Sequence, residues 1–409
     1  MAPSSDLHLA VALDGAGWHP AAWRDLHARP SELFSPRYWV DLAREAERGT
    51  LDFVTIEDSL AIQSGRRGVV DARTDRVRGR LDAVLIAARI APTTSALGLV
   101  PVATTTHTEP FHVSKAIATL DYVSNGRAGF QARVSATALE AGQFGRRGVP
   151  DVVEGEGRLD QGSDFVTDLF DEAADFIEVV RRLWDSWEDD AEIRDATTGR
   201  FIDRDRLHYI DFEGRWFSVK GPSITPRPPQ GQPLVTVLAH VPVAFRLAAR
   251  GADVVFTTPH SAPEAHAIVT EVRGHERDVD REGPPLRVFA DLVVFLGPDA
   301  AAARTRKARL DELDGGAYRS DAAVFTGTPG ELADVLTEWH ASGIDGFRLR
   351  PGTIPHDLEA VTRDLVDLLD RRGVFPRRYD DSTLRGRLGL PRPHNRYAAV
   401  GATRHGATP

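Results

Sequence analysis

The chain has 409 residues, a formal net charge of −10, 42% hydrophobic and 27% charged residues, and no cysteine. That composition lies in the globular range, and the length suffices to bury a large core. The missing thiol excludes disulfides, thiolate metal sites and a cysteine nucleophile, and the negative charge opposes the counterion-release attraction of nucleic acids and anionic lipids.

A small-molecule partner, with no nucleic acid and no membrane, is therefore expected. Met1–Ala16 has no basic region ahead of its short apolar run, and Ala83–Ala91 is interrupted by Arg89. Neither a signal peptide nor a membrane span is expected, which points to the cytoplasm.

Along the chain, short β-branched or apolar runs alternate with stretches of helical period, the pattern of βα units and a mainly parallel sheet. The predicted strands are Leu7–Leu13, Asp52–Ile56, Ala96–Thr104, Ala128–Ser135, Pro233–Leu238, Asp253–Thr257, Arg287–Phe295 and Asp345–Leu349. Eight such units favour a closed (β/α)8 TIM barrel, read as one domain over 1–409. Two stretches exceed an ordinary βα loop: about 136–164, after strand four, and about 186–232, before strand five. Within the second, His208–Phe212 and Arg215–Val219 flank Glu213-Gly214 and predict a hairpin.

Three apolar stripes predict helices. Ile177, Val180, Trp184 and Trp187 form the first. Thr328-Pro329-Gly330-Glu331 reads as a capping box ahead of Leu332, Val335, Leu336 and Trp339. Leu358, Val361, Leu365 and Leu368 form the third, stopped at Gly373. The polar, Arg-rich and Pro-rich C-terminal extension, about 374–409, is expected to wrap the outside.

In a barrel of this kind reacting groups stand at the C-terminal ends of strands. Those ends carry Glu57-Asp58, Thr104-Thr105-Thr106-His107, Arg133-Val134-Ser135 and Arg348-Leu349-Arg350. A threonine-rich end near arginines suits an anion such as a phosphate. His-Glu-x-x-His, Gly-x-Ser-x-Gly and Walker-type motifs are absent, and the glycines of Gly142–Gly148 lack the Rossmann spacing. No metal site is expected, His107 and His112 being the nearest to a ligand pair.

Gly17-Trp18-His19-Pro20-Ala21-Ala22-Trp23-Arg24, Leu120-Asp121-Tyr122-Val123-Ser124-Asn125-Gly126-Arg127-Ala128-Gly129 and Leu388-Gly389-Leu390-Pro391-Arg392-Pro393 with Asn395-Arg396-Tyr397 occur in order along the chain. Together they resemble the luciferase-like flavin-dependent monooxygenases, in the nitrilotriacetate and dibenzothiophene-sulfone monooxygenase branch. The resemblance implies a two-component enzyme. It would bind reduced FMN (FMNH2) from a separate NAD(P)H:flavin oxidoreductase, use O2, and insert one oxygen atom into a small organic substrate. It also implies a homodimer.

Carried over residue by residue, the resemblance implies flavin contacts at Asp58, Thr104, Thr105, Thr106, Gln131, Arg133, Ser135, Phe170, His240 and Val241. It implies substrate contacts at His19, His107 and Arg348. Three positions depart from the family at the flavin phosphate: Val166 and Phe170 stand where the family has His and Tyr, and Val241 stands where it has Ser, followed by Pro242. Arg133, His240 and the arginines of 146–158 are the candidates to compensate. A weakly flavin-binding or flavin-free accessory paralogue, and a deazaflavin-dependent oxidoreductase, are the alternatives.

Overall fold

The computed structural model describes residues 7–65, 68–150 and 163–398. Eight parallel strands carry the architecture: β1 (His8–Leu13), β2 (Phe53–Ile56), β3 (Gly98–Thr104), β4 (Gly129–Arg133), β5 (Leu234–Leu238), β6 (Val254–Thr257), β7 (Arg287–Leu296) and β8 (Gly346–Pro351). Their neighbours run β6-β5-β4-β3-β2-β1-β8-β7, and β6 pairs with β7 to close the ring. The expected barrel is what forms, because each βα unit returns the chain to the same end and every strand then points the same way.

Alternation along each strand sorts the side chains. Leu9, Val11, Val54, Ile56, Leu99, Phe130, Val235, Val255, Phe347 and Leu349 face outward into one core with the helices. Ala10, Phe53, Val100, Leu234, Val254, Phe256 and Phe289 face inward and fill the lower barrel. Phe53 and Phe289 lie 5.7 Å apart in a tilted pair.

Two features differ from the sequence reading. A ninth strand, Ala323–Gly327, pairs with Leu292–Leu296 of β7, above the stretch Arg287–Ala290 that pairs with β6. It is only five residues long and mostly half-buried, so it lacks the continuous apolar run by which the others were found. The C-terminal extension does not simply wrap the outside. Leu384, Leu388 and Leu390 are buried in the inward-facing cluster beneath β2 and β3. The barrel base offered these leucines the apolar surface that a solvent-facing course would have denied them.

The long helices follow their caps. Thr328 begins the helix Pro329–Ala341 with both halves of the capping box formed. Thr328→Ala should therefore destabilise the protein by about 1 kcal/mol, read as a lower urea midpoint with unchanged slope. The helix Asp164–Asp185 buries Ile177, Val180 and Trp184, but Trp187 lies past its end. There the Trp187 indole donates to the carbonyl of Ser223 at 2.7 Å. The third stripe forms as expected and ends before Gly373, whose φ of 71° suits a residue without Cβ.

The predicted hairpin is present but short, pairing Phe212–Glu213 with Ser218–Val219, and a second one joins Glu192–Asp195 to Arg200–Ile202. Among the described residues no helix is long and apolar enough to cross a membrane.

Candidate active site at the barrel mouth

The ends of β3 and β4 are stitched together by the threonines singled out in the sequence. Thr104 Oγ1 accepts from Arg133 Nη1 at 3.0 Å, Thr105 Oγ1 donates to the Arg133 carbonyl at 3.2 Å, and Thr106 Oγ1 accepts from the Ser135 backbone at 2.9 Å. Arg133 holds Glu140 in a two-pronged pair, 2.9 Å on each arm, and Glu140 also accepts from Ser59 Oγ at 2.7 Å. The Arg133 guanidinium is thus engaged within the protein. The same holds for Arg146, which meets Glu109, and Arg147, which meets Glu172; Arg158 lies outside the described residues.

Two atoms on this side remain uncommitted. His107 Nε2 is buried with no hydrogen-bond partner, its ring stacked on Phe144 at 5.2 Å. Burial, then the charge of Arg147, lowers the His107 pKa, so the imidazole is neutral near pH 7. Ser135 Oγ lies beside the Glu140 carboxylate without closing a hydrogen bond to it. His112, five residues on, sits exposed on the following helix, its ring edge-on to Phe111.

Lower in the barrel is an ionic floor. Arg348 donates through Nε to Asp291 at 2.8 Å and through Nη1 to Gln131 Oε1, and its guanidinium lies 3.8 Å over the Phe256 ring. Arg350 also reaches Asp291, at 3.0 Å through Nε, and extends Nη1 to Asp321 at 2.6 Å; its other face lies 4.5 Å from the Trp18 ring. Asp291 is fully buried between two guanidiniums. Arg348 was expected at the rim. The strand instead runs on to Pro351, which sets Arg348 deeper, with 1% of its surface exposed.

Of the strand-two pair Glu57-Asp58, Asp58 is the one expected to meet the flavin. Its carboxylate accepts from the backbones of Ser59 and Ala83 and fixes the loop. Glu57 follows the inward parity of Phe53 and Thr55, and its Oε1 is buried without a hydrogen-bond partner, 3.7 Å from Arg348 Nη1. Burial pushes the Glu57 carboxyl up, with Arg348 pulling the other way. Strand parity was the signal that could have selected Glu57, as it could have selected Arg350 and Asp291.

Above β1, the loop 14–24 is locked by the motif that carried the resemblance. His19 Nδ1 accepts from the Ala21 backbone and Nε2 meets Asp311 at 3.1 Å. The side chain of His19 has 0% exposure, so it anchors the loop and has no ring nitrogen left for a substrate. Gly17 passes so close to β8 that a Cβ would come within 2.5 Å of the Gly352 carbonyl. Beside this loop a cleft of about 260 Å3 opens, lined by it and by residues 63–65 and 76–78. The second motif is structural too: Arg127 is buried and donates to the carbonyls of Ser124, Leu97, Ala91 and Thr94, while Asp121 receives Ala128 and Gln230.

At the remaining expected positions, Val166 is buried and Phe170 half-buried on the helix Asp164–Asp185, and Val241 is the N-cap of the helix Pro242–Gly251 without a side-chain cap. His240 leans on Thr258 at 2.9 Å and on Asp321 at 3.5 Å. Among the described residues there is no group of three or more potential metal ligands.

The Arg133–Glu140 pair gives a pH expectation. Burial pushes the Glu140 carboxyl up, but Arg133 above all, with Ser59, outweighs it and holds it at about 2. A carboxylate held down in this way contributes about 3 kcal/mol that is complete above pH ~4.3, about half gone near pH 3, and lost as pH falls further. Urea unfolding of wild type and Glu140→Gln should therefore diverge at pH 6 and converge toward pH 3.

Residues 16–346 match the family model described as luciferase-like monooxygenase. The chain is 30% identical to nitrilotriacetate monooxygenase component A of Aminobacter aminovorans, over 97% of this chain and 99% of that one. It is 29% identical to N-acetyl-S-(2-succino)cysteine monooxygenase of Bacillus subtilis (strain 168), over 96% and 98%. The structure of EDTA monooxygenase from Chelativorans sp. BNC1 superposes with a TM-score of 0.80 at 24% identity, covering 95% of this chain and 99% of that one.

Proposed function

Given that the chain belongs to the luciferase-like monooxygenase family, we propose that it is the oxygenase of a two-component, FMNH2-dependent monooxygenase. It takes reduced FMN from a separate NAD(P)H:flavin oxidoreductase and O2 from solution, and places one oxygen atom on a small organic substrate. The observation that carries this reading is the set of buried polar atoms left over at the mouth. Glu57 Oε1, His107 Nε2 and Ser135 Oγ have no hydrogen-bond partner in the protein, and such orphans in a native fold call for a partner from outside it, a water or a ligand.

Those three residues, with the Thr104–Thr106 edge, are the groups that would hold the flavin. Reduced flavin, when bound, supplies the electrons that activate O2. The chain's own part is to orient and to exclude water. The Arg348–Asp291–Arg350 floor fixes the depth of the mouth, Phe144 and Trp18 shield its sides, and neutral His107 offers Nε2 as donor or acceptor according to its tautomer. Glu57, pushed up by burial, retains a proton at its carboxyl to higher pH than an exposed glutamate. The organisation as a homodimer belongs to the same proposal and is checked by light scattering against the 44.8 kDa chain.

Titration with FMN and with FMNH2, followed by flavin fluorescence and absorbance, tests the reading directly. Saturable binding of FMNH2, with O2 uptake that requires a flavin reductase, is expected. Absence of binding in both redox states would sink it. A second reading, a weakly binding accessory paralogue, is favoured by one observation: Val166, Phe170, Val241 and Pro242 offer a phosphate no side-chain donor.

A further inference from the structure

The inward face of β2 ends on two side chains with nothing to hold. Thr55 Oγ1 and, one step higher, Glu57 Oε1 are buried without a hydrogen-bond partner. The Glu57 side chain keeps 16% exposure, so it is reached from the mouth.

The cations around Glu57 are already matched. Facing it are Arg348 and Arg350 from β8, Arg80 from the loop ahead of the helix Ala83–Ile90, and Asp14 just after β1. Arg348 Nη1 comes within 3.7 Å, but it donates to Gln131 while Nε of the same side chain donates to Asp291. Arg350 is held by Asp291 and Asp321, and Arg80 by both oxygens of Asp14 at 2.7 and 2.8 Å. Among the described residues three guanidiniums thus meet three aspartates, and Glu57 is a fourth carboxyl with no donor of its own. An ionised carboxylate in such a place needs several donors, whereas a carboxylic acid needs one acceptor for its O–H. The neutral form leaves fewer groups unsatisfied, and burial, against the pull of Arg348, pushes the carboxyl the same way.

We propose that Glu57 stands in the mouth as a neutral carboxylic acid, that its O–H donates to an acceptor atom of the flavin ring, and that this donor makes the site prefer reduced to oxidised flavin. Reduction enriches the ring's acceptor atoms in electrons, and a hydrogen bond to an acceptor with more negative charge is stronger. A carboxylic acid kept neutral by its surroundings is an effective donor of this kind. That the ring is a flavin rests on the monooxygenase reading above; the neutral state of Glu57 does not.

The test is anaerobic titration of the full chain with oxidised and with reduced riboflavin, at about pH 7, which gives the ratio of the two dissociation constants. Wild type should favour the reduced form by about tenfold or more. Glu57→Gln keeps a donor and should keep the preference, whereas Glu57→Leu should lose it. Infrared spectra of the flavin-free chain should show a protonated-carboxyl band that is missing from Glu57→Gln. Should the variants fail a thermal-melt check, wild type alone decides, because that band should shift when reduced riboflavin binds.

A preference that survives Glu57→Leu overturns the proposal, as does one lost equally in both variants, no preference in wild type, or a band unmoved by binding, which would leave Glu57 merely hydrated. The band with no flavin binding in either redox state defeats the monooxygenase reading, and with it the donation to a flavin, while leaving Glu57 neutral. Flavin binding without the band defeats the proposal alone.

Discussion

Asp291→Ala is expected to lower the melting temperature by about 4–6 °C. The residue is fully buried and is the shared partner of Arg348 and Arg350, themselves 1% exposed. Removing it leaves two guanidiniums without their counter-ion in a low-dielectric interior, and breaking a buried pair from one side costs about 3–5 kcal/mol. With roughly 2.1 cal/mol/K of unfolding entropy per residue, a chain of this length converts that loss into the stated shift. Gln131, Glu57 and Asp321 can recover part of it, since each already meets one of the arginines.

The control is the triple variant Asp291→Leu, Arg348→Met, Arg350→Met, which removes the charges together. An all-apolar replacement of a buried ionic group is often neutral, so this variant should melt closer to wild type than Asp291→Ala does. Differential scanning calorimetry on both decides the matter. A single variant as stable as wild type would show that the floor is not held by Asp291.

The second large effect is expected at the positions where the family resemblance puts the flavin phosphate. Phe170→Tyr with Val241→Ser should tighten FMN binding by at least about tenfold, because each new hydrogen bond to a charged phosphate adds about 1.5–3 kcal/mol. Adding Val166→His tests the third position; that site is 2% exposed, so its gain requires the imidazole to turn out of the core. Riboflavin, which has no phosphate, should bind the same variants no better than wild type, and fluorescence titration with both ligands reads this directly. Equal gains for FMN and riboflavin would dismiss a phosphate contact.

Arg133→Ala is the counterpart. Sequence alone left Arg133 free to grip a phosphate, but both its arms are on Glu140. The variant should therefore destabilise the fold, by leaving buried Glu140 unpaired, more than it weakens FMN. A large loss of FMN affinity at unchanged stability would return Arg133 to the phosphate.

How much of this was legible beforehand depends on range. The strands themselves and the capping box at Thr328 rest on period and on neighbours within four residues, so eight barrel strands and the helix Pro329–Ala341 are legible in the chain. The ordered motifs identified the family. Their residues proved to be joints: Arg127 and His19 each satisfy backbone groups in their own neighbourhood, and a joint tolerates little change whatever the ligand.

Pairing between strands distant in sequence was beyond such reasoning. Arg348 and Gln131 are 217 residues apart, and Arg348 and Asp291 are 57; only barrel closure brings them within hydrogen-bond reach. The same closure turned Glu57 inward and committed Asp58 to the loop. It also drew the leucines of the C-terminal extension under the barrel base. The sequence by itself determined the units and the family, because these are written in local spacing. Which polar atoms are committed and which remain for a ligand was decided by the tertiary structure, because a hydrogen bond is settled by distances of tenths of an ångström between groups the chain places far apart.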